Sequence, residues 1–392
     1  MKYVLALAAG LAAVILIIEP KTVSDAVGAA AVSCLEVVVP SLFAFTVLAI
    51  YLQKSGLYRT VLKPLTFPLS KLLRMDEELC AVFLLGNIGG YPVGARLLSE
   101  LVREGRLKQK NAARALCFCF GSGPGFMLGI VGARIFGSAA AGLALFGICF
   151  GVSLLIAGFV RMRGEIPLER AAGGDMNVVN PATKSQTGCL RPKAGGDTDV
   201  AKPATKSQTG CLRPKAGGFK LDAETFITSV TDGARTMFTV CAMIVGFSVI
   251  SAILKVIGVY ALFAEIFGSS EILPALLEIT RLGDMTATEY ALPTCAALLA
   301  FGGACVIMQV AALSRGIPLK NFLISRGAAA VLSALLAMPF AGIFPPADVE
   351  TIAAETAVSA FSKNAALSVC VLIMCVLLLV ARGSESRGKK PR

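Results

Sequence analysis

The sequence predicts an all-α polytopic integral membrane protein, with about eight transmembrane helices plus two re-entrant hairpins in two inverted repeats. Composition, the spacing of apolar runs, and two membrane-length runs broken in the middle predict it. Of 392 residues, 56% are hydrophobic and 16% charged, and the mean hydropathy is +0.75. A soluble domain carries roughly 25% charged residues. Apolar runs long enough for a bilayer core, about 20 residues, fall at 2–18, 27–52, 115–132, 138–160, 236–257, 292–313, 327–344 and 367–381.

The broken runs are 79–97 and 272–291. The first contains Gly86-Asn87-Ile88-Gly89-Gly90-Tyr91-Pro92-Val93-Gly94, and the second contains Glu278, Arg281, Gly283 and Asp284. In hydrocarbon every backbone N–H and C=O needs a partner, so unwound chain persists only beside a cavity or another helix. Matching interruptions in two halves of a membrane chain are the mark of a secondary-transporter core.

Charge sets the orientation. The net charge is +12, yet most of the 37 Lys and Arg residues fall in segments 54–74, 96–114, 161–235 and 315–326 and at the chain ends. The loops between these segments carry Glu19, Asp25, Glu265, Glu271, Asp348, Glu350 and Glu355. Basic loops stay cytoplasmic, which predicts a multi-pass membrane protein with both termini inside. The same segments attract anionic lipid at the cytoplasmic face. This distribution excludes nucleic acid as the partner. Both flanks of 79–97 are basic, so that hairpin enters from the cytoplasm; acidic flanks put 272–291 on the outer side.

Internal similarity supports a duplication. Phe45-Thr46-Val47-Leu48, then Leu52 and Gly56-Leu57-Tyr58, reads like Phe247-Ser248-Val249-Ile250, then Leu254 and Gly258-Val259-Tyr260. Phe120-Gly121-Ser122-Gly123 resembles Phe301-Gly302-Gly303-Ala304. The predicted organisation is a first helix with an outer loop (1–26), one repeat (27–160), a basic linker (161–235), a second repeat (236–344), and a last helix with a basic tail (345–392). Pro20 and the run length favour retention of the first helix over cleavage as a signal peptide. Within the linker, residues 181–196 recur unchanged at 203–218. Their Lys, Pro, Thr, Gly and Ser composition predicts disorder. Twelve cysteines and no histidine leave no metal, cofactor or Cys-His nucleophile to expect, and no enzyme.

Polar groups inside a membrane are costly and mark function. The candidates for substrate binding are Asn87, Tyr91 and Ser122 in the first half, and Glu278, Arg281, Asp284 and Gln309 in the second, with Glu36 and Thr280 also weighed. Gly89, Gly90 and Pro92, and then Gly123 and Pro124, free backbone groups beside them. The plainer alternatives are close helix packing for each glycine, a snorkelled acid for Glu36, and an i,i+3 ion pair for Glu278 with Arg281.

At Gly89-Gly90-Tyr91-Pro92-Val93-Gly94-Ala95-Arg96-Leu97, Ser122-Gly123-Pro124, Phe301-Gly302-Gly303 with Met308-Gln309-Val310, and Phe322-Leu323-Ile324 with Arg326, the chain resembles the YlbJ-type sporulation integral membrane proteins, built from nucleoside-recognition Gate domains. The match departs at Phe120-Gly121, where Asn-Asn is expected, and at Ile307, where histidine is common. The resemblance implies a role in spore formation, around cortex assembly, with sporulation proteins as partners. The expected function is a permease or transporter-like protein holding a small polar solute between the hairpins. The alternative is a non-transporting membrane scaffold required for sporulation.

Overall fold

The computed structural model describes residue 10 and residues 13–168, 223–269, 271–285 and 291–345. The expected last span at 367–381, most of the first, and the duplicated linker segment lie outside the described residues. Every regular element among the described residues is helical. Among the described residues, four helical segments are long and apolar enough to cross a membrane: Ala139–Met162, Ala223–Val256, Ala291–Leu313 (interrupted at Gly302) and Lys320–Phe340. Leu143, Phe159, Phe238, Val331 and Leu335 stand on them more than half exposed, an apolar surface suited to lipid. The protein is an all-α membrane protein.

Helix α1 (Pro20–Ser33) passes through a π-helical turn at Cys34–Val38 into α2 (Val39–Ser55). Pro40 has no N–H for the carbonyl four residues back, so the helix widens where that bond is missing. After Gly56, short α3 (Tyr58–Val61) and surface helix α4 (Lys63–Leu73) lead to α5 (Glu77–Ile88) and α6 (Tyr91–Arg103). Asp76 caps α5 by accepting the Glu78 N–H at 2.9 Å. The Arg106 guanidinium forks onto the Glu78 carboxylate, which fastens the start of α5 to the chain just past α6. The two helices therefore form a hairpin with its tip at Gly89-Gly90. Gly90 has φ 93° and ψ 169°, a conformation open only to glycine. Behind the tip the packing is backbone to backbone: a Cβ on Gly94 would lie 1.9 Å from the Cys119 carbonyl oxygen.

Next come α7 (Gln109–Leu116), an unwound stretch at 117–123, α8 (Pro124–Phe126) continuing by a π-helical turn into α9 (Ala133–Phe136), and α10 (Ala139–Met162). Long α11 (Ala223–Val256) is followed by α12 (Val259–Phe267), α13 (Ile272–Leu277) with a 3-10 turn at Ile279–Asp284, α14 (Ala291–Phe301), α15 (Gly303–Leu313), and α16 (Lys320–Ala337).

The structure departs from the expected spans in three places. The run at 115–132 is broken at 117–123, and that at 292–313 is broken at Gly302. Hydropathy reports composition, and both breaks are apolar or glycine-rich. The helix expected from 236 already starts at Ala223, so residues 223–235 belong to it and not to a disordered linker. Their polar side chains hid the helix; one of them, Asp232, is satisfied by an ion pair with Lys54.

The two breaks free carbonyls that a helix would have used, and each must find another donor. Arg326 of α16 supplies two. Its guanidinium donates to the Ala300 carbonyl at 3.3 Å and to the Cys117 carbonyl. It lies over the rings of Phe120 at 4.6 Å and Phe322 at 5.4 Å. The sequence placed Arg326 with the basic cytoplasmic segment 315–326; it is instead 1% exposed, in the core between the two broken helices. Helix C-termini carry partial negative charge, so a cation at this junction is favoured twice.

Replacing Arg326 by Met leaves two buried carbonyls without donors, at about 1–3 kcal/mol each. Thermal unfolding followed by a thiol-reactive dye, which reports exposure of buried Cys117, Cys119 and Cys149, is expected to show a marked fall in Tm. Lys at 326 recovers only part of it, because one ammonium cannot reproduce the planar fork. Gly94→Ala is expected to be at least as damaging, whereas Gly28→Ala, with open space around the added methyl, leaves Tm unchanged.

Candidate functional site

A small cavity of about 50 Å³, part of it open to the surroundings, lies where the interrupted elements meet. Its wall is mostly apolar: Val38 from the π-helical turn, Leu42 from α2, Pro92 from α6, Phe126 from α8, Val240 and Ile244 from α11, Ile279 after α13, and Val306 from α15. Tyr91, Ser122, Glu278, Thr280 and Gln309 supply the polar groups.

The breaks bring these groups together by packing on one another. A Cβ on Gly123 would lie 2.9 Å from the Ile88 carbonyl oxygen and 3.2 Å from the Gly90 nitrogen, so the hairpin tip rests against the unwound stretch before α8. The second half repeats the contact: a Cβ on Gly303 would lie 3.2 Å from the Leu276 carbonyl oxygen, where α13 ends. Ser122 thereby reaches the wall from one side, and Glu278 and Thr280 from the other.

Ser122 is 2% exposed, and its hydroxyl lies beside the Tyr91 phenol. The Glu278 backbone is extended, at φ −142° and ψ 110°. Its carboxylate accepts the Thr280 N–H at 3.0 Å and the Thr280 hydroxyl at 2.6 Å. The Gln309 side-chain amide donates to the Cys305 sulfur at 3.3 Å, a weak acceptor. The wall of an otherwise apolar chamber therefore carries hydroxyls, an amide and a carboxylate.

Of the residues singled out in the sequence, Tyr91, Pro92, Ser122, Glu278 and Gln309 line this cavity. Asn87 does not. It is 2% exposed, and its amide donates to the Phe83 carbonyl at 2.9 Å and the Phe118 carbonyl at 3.1 Å, the second freed by the unwound stretch. Tyr91 shares this duty: its hydroxyl donates to the Leu299 carbonyl at 2.8 Å, beside the Gly302 break, while its ring faces the cavity. Gly89, Gly90, Gly123 and Pro124 form the breaks themselves. Arg281 lies on the 3-10 turn off the cavity wall; Asp284 ends that turn, and its side chain lies outside the described residues. Glu36 sits exposed in the π-helical turn. The wall residues not foreseen are apolar, and Val38 with Leu42 or Val240 with Ile244 show the i,i+4 spacing of any packed helix face.

Fold and site together define a membrane protein with a small chamber at the meeting of broken helices. The chain matches no family model, no curated protein and no solved structure.

Asn87→Leu strips the donor from the buried Phe118 carbonyl, while the Phe83 carbonyl keeps its helical N–H, so a loss of about 1–3 kcal/mol is expected, read as a lowered Tm in the same dye assay. Gln309→Leu, which gives up one weak contact to sulfur, is expected to leave Tm nearly unchanged.

Proposed function

We propose that this protein is a permease that holds a small polar solute in the cavity between the two interrupted elements. The observation that carries the reading is a set of buried polar side chains, Ser122, Glu278 and Gln309, brought to the wall of an otherwise apolar chamber next to unwound backbone. Polar groups inside a membrane are costly and mark function. In the reading, the two halves are inverted repeats, the pair 79–97 enters from the cytoplasmic face as a re-entrant hairpin, and the pair 272–291 enters from the opposite face. Rocking of one repeat against the other then exposes the chamber alternately to each side. The solute is compact, with an apolar body and an edge that hydrogen-bonds to Ser122, Gln309 and Glu278.

The physiological setting in this proposal is spore formation, by resemblance to the YlbJ-type proteins. The protein sits in the cell membrane with both termini cytoplasmic and anionic lipid around its basic segments.

The test is a thermal-shift screen of the purified protein against nucleosides, nucleobases, amino acids and cell-wall precursors, followed by flux of any responding compound in proteoliposomes. Ser122→Val and Gln309→Leu are expected to lower affinity for that compound at least about tenfold, about 1.4 kcal/mol, with folding retained. A panel with no response, or a response untouched by both variants, contradicts the proposal.

A further inference from the structure

We infer that Asp232, Lys54 and Arg96 form an ionic latch that closes the cavity on the basic face of the protein. The inference rests on the permease reading, because a latch matters only where a chamber opens and closes. The Lys54 ammonium lies 2.7 Å from Asp232 Oδ2, and Arg96 Nη2 lies 3.2 Å from the same oxygen. Arg96 also reaches Glu100 at 3.9 Å, which in turn pairs with Arg103. These pairs join three elements, α2, α6 and α11, and each of the three also supplies cavity wall.

The latch is displaced from the chamber in one direction on all three. At 1.5 Å per residue, Asp232 is ~12 Å before Val240 on α11, Arg96 is ~6 Å past Pro92 on α6, and Lys54 is ~18 Å past Leu42 on α2. The displacement runs toward the chain segments 54–74 and 96–114, where the positive charge is concentrated. Between latch and chamber the seam is tight, since a Cβ on Gly233 would lie 2.6 Å from Val47 Cγ2. Beside the latch, Tyr51 of α2 meets Phe226 of α11 edge to face at 6.0 Å. Widening the chamber on this side means drawing α11 away from α2 and α6, and that separates Asp232 from both cations.

The chemistry suits a closure that must reopen. The three side chains are 16–25% exposed, so water can replace each partner as the pairs part. Ion pairs in such positions contribute little net stability, whereas an apolar seam would have to expose its whole buried area. The latch holds one geometry without locking it.

The test uses the full-length protein in lipid nanodiscs, with all twelve native cysteines replaced by Ala or Ser and Val240→Cys as the one reporter, in the chamber wall. The readout is the rate of modification by a membrane-impermeant maleimide, and no solute is needed. Adding Asp232→Asn is expected to speed modification at least about tenfold. The combination Lys54→Asp, Arg96→Gln and Asp232→Lys, which restores one pair with reversed sign, is expected to return the slow rate. Slow labelling in a folded Asp232→Asn protein, or fast labelling in the reversed pair, overturns the latch. Should Asp232→Asn fail to fold, the reporter protein is measured in 1 M salt, where the Debye length falls to about 3 Å; an unchanged rate there overturns it equally. Because labelling is independent of solute binding, a failed latch and a failed permease reading give separate signatures.

Discussion

The structure depends on where four carbonyl oxygens find their donors. Breaking one helix after Leu116 and another at Gly302 releases the carbonyls of Cys117, Phe118, Leu299 and Ala300. In a membrane no water is at hand to take them. Arg326 takes the first and last, Asn87 takes Phe118, and Tyr91 takes Leu299. The donors come from the first hairpin and from the last described long helix, so satisfying the backbone also ties the two halves of the chain together. A buried guanidinium is costly by itself, and here two helix ends and two aromatic faces share the task of replacing its hydration.

With the breaks satisfied, they can stand side by side, and the chamber is the space that results. Gly123 against Gly90 in one half and Gly303 against the end of α13 in the other are the same contact made twice. Each contact turns a side chain or an extended residue, Ser122 or Glu278, toward the middle. The chamber wall needs no dedicated loop. It is what remains where two unwound stretches meet between α2 and α11.

The sequence showed the break at Gly89-Gly90 with Pro92 because glycine and proline inside an apolar run have few other uses. Gly121 through Pro124 marked freed backbone inside what was read as a span, Gly302 left no such mark, and Ser122, Glu278 and Gln309 stood out as polar groups in apolar runs. It did not distinguish a polar residue that faces a cavity from one that faces its own backbone, which is why Asn87 looked like a ligand. Arg326 was hidden by its neighbours: three residues of basic segment 315–326 are positive, and the pattern read as a cytoplasmic flank. Phe322 four residues before it was the signal available, an aromatic platform for the guanidinium. The apolar wall left no mark, since lining a chamber and filling a core use the same residues at the same spacing.

The most direct measurement of this account is an electron cryomicroscopy map of the protein in lipid nanodiscs, at a resolution that shows side chains. The account predicts unwound backbone at Gly89-Gly90, at 117–123 and at Gly302, with Arg326 side-chain density joining the Cys117 and Ala300 carbonyls. Continuous helix through 115–132 or 292–313, or an Arg326 side chain turned to the membrane surface, would contradict it.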